Sequence, residues 1–147
     1  MDGFTDDWDL AQDLFANMHR AGDPTKKLEC RAYLRFDCNL QIMYVLVLAE
    51  PGVVAWRHTT TTSATSWVAL ETPNHKVVNE YAGNDDHPPD FAWVDPGYDS
   101  DPSHVRGFEA SFQLSTGDDI IFIHQQTYEM GLQTASTIGS PKQGLPF

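Results

Sequence analysis

Hydrophobic and polar residues alternate along much of this chain, with the period of β-strands. In Arg31–Asp37 the apolar residues occupy every second position, the pattern of a strand with one buried face. Residues 107–114, GFEASFQL, repeat this pattern, with the phenylalanines inward and Glu109, Ser111 and Gln113 predicted to face water. The run Ile42–Ala49, IMYVLVLA, is apolar at successive positions and therefore predicts a central strand covered on both faces.

Five shorter segments complete the strand pattern. They begin at Val53, Ser66, Lys76, Phe91 and Asp119 and read VVAWRH, SWVALE, KVVN, FAWV and DIIFIHQ. About eight strands separated by turn residues predict an all-β fold, an antiparallel β-sandwich of jelly-roll-like type.

Helical periodicity occurs once, near the start of the chain. In residues 7–22, DWDLAQDLFANMHRAG, Trp8, Leu14, Phe15 and Met18 can share one face, and Gly22 offers a stop. The sequence therefore predicts one short N-terminal helix. We expect this helix to cover the outer face of the apolar strand.

The length of 147 residues fits one domain with a core of its own. We expect a single β-sandwich domain over residues 1–137 and a C-terminal tail over residues 138–147, where glycine and proline replace core-forming residues. If its own domain or a neighbouring copy holds this tail, Leu145 and Phe147 are the candidate anchors.

The net charge of the chain limits the classes of partner that it can bind. There are 21 acidic residues against nine Lys and Arg, a formal charge of −12, which repels nucleic-acid phosphates and anionic membranes. No apolar run approaches the roughly 20 residues that cross a bilayer, and the start MDGFTDDWDLAQ lacks the features of a secretory signal. We expect a soluble protein with no nucleic-acid partner and no membrane insertion.

The two cysteines lie eight positions apart, at the two ends of CRAYLRFDC. In one continuous strand, Cys30 and Cys38 would be about 26 Å apart at ~3.3 Å per residue, well beyond disulfide reach. We therefore predict two buried free thiols, and a bridge only if the strand breaks at Cys30.

Several short segments together resemble a known group of domains. They are MDGFTDDWDLA, AYLRFDCNLQIMYVLVLAEPG, DDHPPDFAWV, GFEASFQLSTGD and IFIHQQTYEMGLQTAS, spread over residues 2–137. The opening D-G-x-x-D-D-W is similar to that of family 9-like carbohydrate-binding modules and DOMON-like domains. The resemblance implies a β-sandwich in a secreted or cell-surface protein of bacteria or algae. Members bind sugars, haem or no known ligand. The haem-binding members use Met and His as axial ligands, and nothing in this sequence places Met18, Met43, His58 or His124 as such a pair.

The stretch Gly83–Asp101, GNDDHPPDFAWVDPGYDSD, is rich in aspartate. Calcium prefers six to eight oxygen ligands, which carboxylates and backbone carbonyls of such a loop can supply. The spacing matches no EF-hand, and a plain acidic loop that closes the sandwich is the alternative. Calcium is the candidate cofactor, with these candidate ligands: Asp85, Asp86, Asp90, Asp99 and Asp101.

Sugar binding in a sandwich requires exposed aromatic rings, on which pyranose C–H faces stack, flanked by side chains that hydrogen-bond hydroxyls. Two tryptophans flank RHTTTTSATS, which reads as a hairpin-like connection between two strands. The candidate ligand-binding residues are Trp56, Arg57, Trp67, Tyr81 and Tyr98. Trp8 and Trp93 lie within the resemblance and are predicted to belong to the core.

No catalytic motif is present. The sequence has no Gly-x-Ser-x-Gly, His-Glu-x-x-His or Cys-x-x-Cys pattern, and its six histidines are scattered singly. We therefore expect a non-catalytic, extracellular or cell-surface module that binds a polysaccharide or other glycan. The alternative is a structural subunit whose copies assemble into a filament, sheet or coat through strand edges and the C-terminal tail.

Overall fold

The computed structural model of the chain describes residues 1–20, 23–57, 66–71, 76–114, 122–127 and 136–138. None of these residues lies in an α-helix. The described part therefore includes no helix with the length and apolarity required to cross a bilayer. Its strands are β1 Leu14–His19, β2 Leu28–Asp37, β3 Ile42–Ala49, β4 Ala55–Trp56, β5 Ser66–Glu71, β6 Lys76–Asn79, β7 Asp90–Val94, β8 His104–Val105, β9 Gly107–Gln113, β10 Phe122–Thr127 and β11 Ser136–Ile138.

The described strands form three antiparallel sheets. A five-stranded sheet has the order β1-β2-β3-β9-β7, a four-stranded sheet has the order β11-β10-β5-β6, and β4 pairs with β8. All eight predicted strands are present, while β1, β8 and β11 have no counterpart in the prediction. The all-β, antiparallel class is confirmed.

The predicted N-terminal helix is replaced by a turn followed by strand β1, so this prediction is wrong. Asp9 Oδ1 accepts hydrogen bonds from the backbone N–H groups of Ala11 at 3.1 Å and Gln12 at 3.0 Å. The chain then pairs with β2 and places Met18 opposite Cys30 in the core. Four apolar residues at helical spacing are weak evidence for a helix. Pairing with β2 stabilises the strand more, because it satisfies the backbone hydrogen bonds and buries Met18.

The main core lies on one face of the five-stranded sheet. Strand β3 supplies alternate residues to it, and β9 supplies its largest side chains, Phe108 and Phe112. Phe91 of β7 stacks on Phe108 with ring centroids 5.1 Å apart. Val68 of β5 and Val78 of β6 join this core, so the four-stranded sheet contributes to it as well.

The opposite face of the five-stranded sheet is also covered, and the segment that covers it is N-terminal. Trp8 packs there with Tyr33, Leu46 and Val94. The prediction that Glu109 and Ser111 face water is wrong, since each is only 1% exposed, whereas Gln113 is exposed as predicted.

Gly3 fixes the N-terminal segment against this face. Its N–H donates to Glu109 Oε1 at 2.7 Å. Its φ is +77°, and a Cβ at this position would lie 2.5 Å from the carbonyl oxygen of Trp93. Only glycine adopts this conformation at this separation without displacing the segment.

Both cysteines are free, as predicted, but only Cys30 is buried. Burial, followed by the nearby Glu29 and Glu50 carboxylates, raises the pKa of the Cys30 thiol to about 12. Cys38 is exposed in the turn after β2, which contradicts its predicted burial. The predicted tail anchors Leu145 and Phe147 lie outside the described part.

Candidate functional site

The connection between β7 and β8 is a compact loop, residues 95–103, which we call the β7–β8 loop. The Gly97 N–H donates to the His104 carbonyl at 2.8 Å, and the Ser100 N–H donates to the Gly97 carbonyl at 3.0 Å. Asp95, Gly97 and Ser100 all have positive φ values, of 46°, 77° and 78°. The loop therefore has a defined shape set by local hydrogen bonds.

His104 lies between two aspartates of this loop. Its Nδ1 is 2.7 Å from Asp99 Oδ2, and its Nε2 is 3.5 Å from Asp101 Oδ2. The hydrogen bond with His104 is the main cause that lowers the pKa of Asp99. Hydrogen bonds from the Ser103 hydroxyl and N–H lower the pKa of Asp101. Both carboxylates are thus ionised acceptors at neutral pH.

Trp56 stands beside this cluster because β4 pairs with β8 and places it opposite His104. The two rings meet edge to face, with centroids 4.5 Å apart and an interplanar angle of 74°. Trp56 nevertheless remains 42% exposed. Arg57 follows, and its Nε donates to the Pro102 carbonyl at 2.8 Å. An exposed indole, a guanidinium and two carboxylates are therefore held together by one loop and one short ladder.

Tyr98 lies at the edge of a cavity of about 370 Å³ on the N-terminal side of the same loop. The Arg106 guanidinium carbon is 4.3 Å from the centre of the Tyr98 ring, and Arg106 Nε is 3.3 Å from Asp95 Oδ2. Glu50, which Arg31 holds by an ion pair of 2.9 Å, also lines the cavity. Tyr98 is 37% exposed and adds a second accessible aromatic ring.

Five predicted residues therefore come together around the β7–β8 loop, and we call this group the Trp56 surface: Trp56, Arg57, Tyr98, Asp99 and Asp101. The predicted pairing of the Trp56 strand with the Trp67 strand is wrong. Trp67 lies half-buried in β5, which pairs with β6 and β10. Tyr81 is 57% exposed and follows β6. The hairpin-like stretch at 58–65 is outside the described part.

The other three aspartates, Asp85, Asp86 and Asp90, belong to a different loop. Asp90 is 3% exposed, and its Oδ1 accepts a hydrogen bond from the Asp85 N–H at 3.1 Å. Asp90 begins β7 and the β7–β8 loop follows its end, so the two acidic groups are separated by the strand, about 16 Å at ~3.3 Å per residue. No group of three or more metal-ligating side chains is formed by the residues that the structure describes. The five aspartates are not gathered into one site.

The sequence does not predict two residues that contact the Trp56 surface, His104 beside Trp56 and Arg106 beside Tyr98. A signal for His104 exists in DSDPSH, because Asp followed by Pro and Ser favours a side-chain-capped turn that presents the next residue. The Ser103 hydroxyl and N–H both bind Asp101 Oδ1, at 2.6 and 2.9 Å, as in such a turn. Arg106 has no comparable signal.

Comparison with protein-family models, with curated proteins and with solved structures finds no match to this chain. The candidate function therefore depends on the geometry of the chain itself.

Proposed function

We propose that this chain is a non-catalytic carbohydrate-binding module of an extracellular or cell-surface protein. The observation that supports it is Trp56, an indole ring 42% exposed yet held edge-on by His104. A ring already fixed loses little conformational entropy when a sugar stacks on it. The extracellular location is a proposal that derives from the resemblance, and the jelly-roll-like sandwich is a proposal that derives from the strand pattern and the resemblance. The shared core of the two larger sheets is consistent with a sandwich.

The polar groups beside Trp56 suit sugar hydroxyls. Asp99 and Asp101 have lowered pKa values, because of His104 and Ser103 respectively, so they are hydrogen-bond acceptors at neutral pH. Arg57 supplies donors on the same surface. A pyranose that stacks on the indole would thus meet both kinds of partner at its edge.

The net charge of −12 indicates which class of polysaccharide the chain can bind. Uronic acid polymers and sulfated polymers are polyanions, which a chain of this charge repels over several ångströms at physiological ionic strength. We therefore propose a neutral polysaccharide as the ligand.

A retention assay on insoluble polysaccharides tests the proposal. We expect cellulose, xylan, starch or chitin to retain the protein and alginate to leave it in solution. Trp56→Ala should weaken binding about tenfold or more, the effect of losing about 1.4 kcal/mol at a central aromatic contact. Tyr81→Ala removes an exposed ring outside the surface and is the matched control. Equal losses in the two variants, or no retention by any neutral polymer, would contradict the proposal.

Self-assembly through strand edges has less support in the described part. The register of edge strand β1 shifts twice along β2, between Leu14 and Ala16 and between Met18 and His19. The Phe91 N–H on the outer edge of β7 donates to the Gly83 carbonyl, and the N–H of Asp95, directly after β7, donates to the Gly3 carbonyl. Bulged and covered edges are features that oppose edge-to-edge pairing.

A further inference from the structure

The cavity of about 370 Å³ beside Tyr98 begins two residues from the exposed indole of Trp56. Val54 lines this cavity, and Trp56 follows it two positions later, so their Cα atoms are at most about 7 Å apart, at ~3.4 Å per residue. Ala55, which lies between them, is fully buried, whereas the residues on either side of it keep part of their exposure. The cavity and the indole are therefore neighbours along this strand.

The partner strand β8 repeats this arrangement. His104, which contacts the Trp56 ring, and Arg106, which lines the cavity, are also two positions apart. Val105 between them is only 1% exposed. Both strands of the β4–β8 pair thus lead from the indole to the cavity wall.

The Tyr98 ring at this cavity is already held in position. The Arg106 guanidinium carbon lies 4.3 Å from the ring centre, within the range of a cation–π contact. The Tyr98 N–H donates to the Asp95 carbonyl at 3.2 Å, and Asp95 Oδ2 is 3.3 Å from Arg106 Nε. The ring is nevertheless 37% exposed. Like Trp56, it is an accessible aromatic surface that loses little conformational entropy when a ligand stacks on it.

The rest of the wall is a tight turn with apolar side chains. The Val53 N–H donates to the Glu50 carbonyl at 2.9 Å, and Gly52 has a φ of +82°, as in a type II turn. Apolar side chains of this kind suit the C–H faces of a pyranose ring. Those that line the cavity are Leu48, Ala49, Pro51, Val53 and Val54.

Among the described residues, the wall has two carboxylates, and each is paired with an arginine. Glu50 Oε1 is 2.9 Å from Arg31 Nε, and Asp95 Oδ2 is 3.3 Å from Arg106 Nε. The cavity therefore presents little net charge. The Arg106 side chain is 56% exposed, and a guanidinium has five N–H donors, so it can also donate to a ligand hydroxyl. An uncharged ligand with hydroxyl groups suits such a wall.

We propose that this cavity is a second sugar subsite, so that the ligand is a polysaccharide chain bound along at least two residues. One pyranose stacks on Trp56, and a later residue of the same chain enters the cavity and stacks on Tyr98. The volume is within the usual range for a small-molecule site, about 300–1,000 Å³. This proposal rests on the function proposed for the Trp56 surface, and it specifies the ligand as a chain rather than a single terminal sugar.

The test compares sugars of different length by NMR titration. The probes are the mono- and trisaccharides of the four neutral polymers of the retention assay, namely cellulose, xylan, starch and chitin. The observed signals are the Trp56 indole N–H and the ring signals of labelled tyrosines, which Trp56→Phe and Tyr98→Phe assign. For the polymer that is retained, we expect the trisaccharide to bind about tenfold more tightly than the monosaccharide. It should shift the Trp56 and Tyr98 signals together.

Variants locate the second subsite through the ratio of the two affinities. Tyr98→Ala removes the ring, so the ratio should fall from about tenfold to about one. Arg106→Gln leaves the ring but removes its cation–π partner, and should lower the ratio about threefold. Tyr81→Ala removes an exposed ring elsewhere and is the matched control, in which the ratio should stay at the parental value.

Three results would overturn this proposal while leaving the proposed function intact, because the Trp56 signal still shifts in each of them. They are equal affinities for the two lengths, a Tyr98 signal that stays unchanged as the trisaccharide saturates, and a parental ratio in Tyr98→Ala. If Tyr98→Ala fails to fold, a parental ratio in Arg106→Gln overturns the proposal instead. A protein that binds none of the sugars would overturn the proposed function and this extension of it together.

Discussion

Replacing Trp8 with alanine tests whether the N-terminal segment is a structural layer of the fold. Trp8 is 7% exposed and packs against Tyr33, Leu46 and Val94 on the outer face of the sheet. A buried tryptophan removes about 150–250 Å² from water, which corresponds to about 4–6 kcal/mol at ~25 cal/mol per Å². Residual structure in the unfolded chain lowers this value to about 3–5 kcal/mol, the range measured for large-to-small core substitutions.

The cation–π contact with Arg35 adds a smaller contribution. The guanidinium carbon is 5.0 Å from the Trp8 ring centre, and the Arg35 side chain is 37% exposed, so the contact contributes about 0.5 kcal/mol. The total expected loss in the free energy of unfolding is therefore about 3–5 kcal/mol.

Urea denaturation followed by circular dichroism measures this loss. Trp56→Ala is the matched control, since its ring is 42% exposed and the same area estimate gives a loss of about half that of Trp8→Ala, ~2 kcal/mol. If Trp8→Ala loses less than about 1.5 kcal/mol, or no more than Trp56→Ala, the N-terminal segment does not stabilise the fold as argued.

Two further predictions concern buried titratable groups. Burial raises the folded-state pKa of Glu109 above its ordinary value of 4.5, so its stabilising contribution is complete below the unfolded-state pKa and is lost as pH rises through the folded-state pKa. Glu109→Gln should therefore gain stability relative to the parent as pH rises above the ordinary pKa of 4.5, and a difference in urea unfolding that stays constant with pH would contradict this. In the native protein a thiol reagent should modify Cys38 rapidly and Cys30 only after denaturation, because Cys30 is buried with a pKa of about 12. Rapid modification of both thiols would show that the core around Cys30 opens readily.

Alternation and apolar runs predict the strands of this fold well, because the residues of each strand indicate which of its faces are buried. The N-terminal segment is different, because its conformation depends on contacts with residues that are distant in the sequence. The Gly3 N–H binds a carboxylate 106 positions away, and this contact buries Glu109 in a strand whose pattern alone places it in water. The hydrophobic pattern within one strand does not show that a distant segment covers its outer face.

The sequence predicts which residue types form the candidate site, but only partly which of these residues lie together. The sequence identifies exposed aromatics and acidic turns as candidate site residues, but it groups Trp56 with Trp67 and assigns Asp99 to a calcium loop. The sequence does not reveal that β4 pairs with β8, since strands of two residues have almost no periodicity. Without that pairing, Trp67 looks like the natural neighbour of Trp56, and His104 looks like an isolated histidine.

The most direct test of the proposed function is the Trp56 indole N–H signal during titration with a soluble oligosaccharide of the retained polysaccharide. Binding at the Trp56 surface predicts a saturable shift of this signal, accompanied by shifts of the His104 ring. A titration in which the protein binds the sugar while Trp56 and His104 stay unchanged would contradict the assignment of the site.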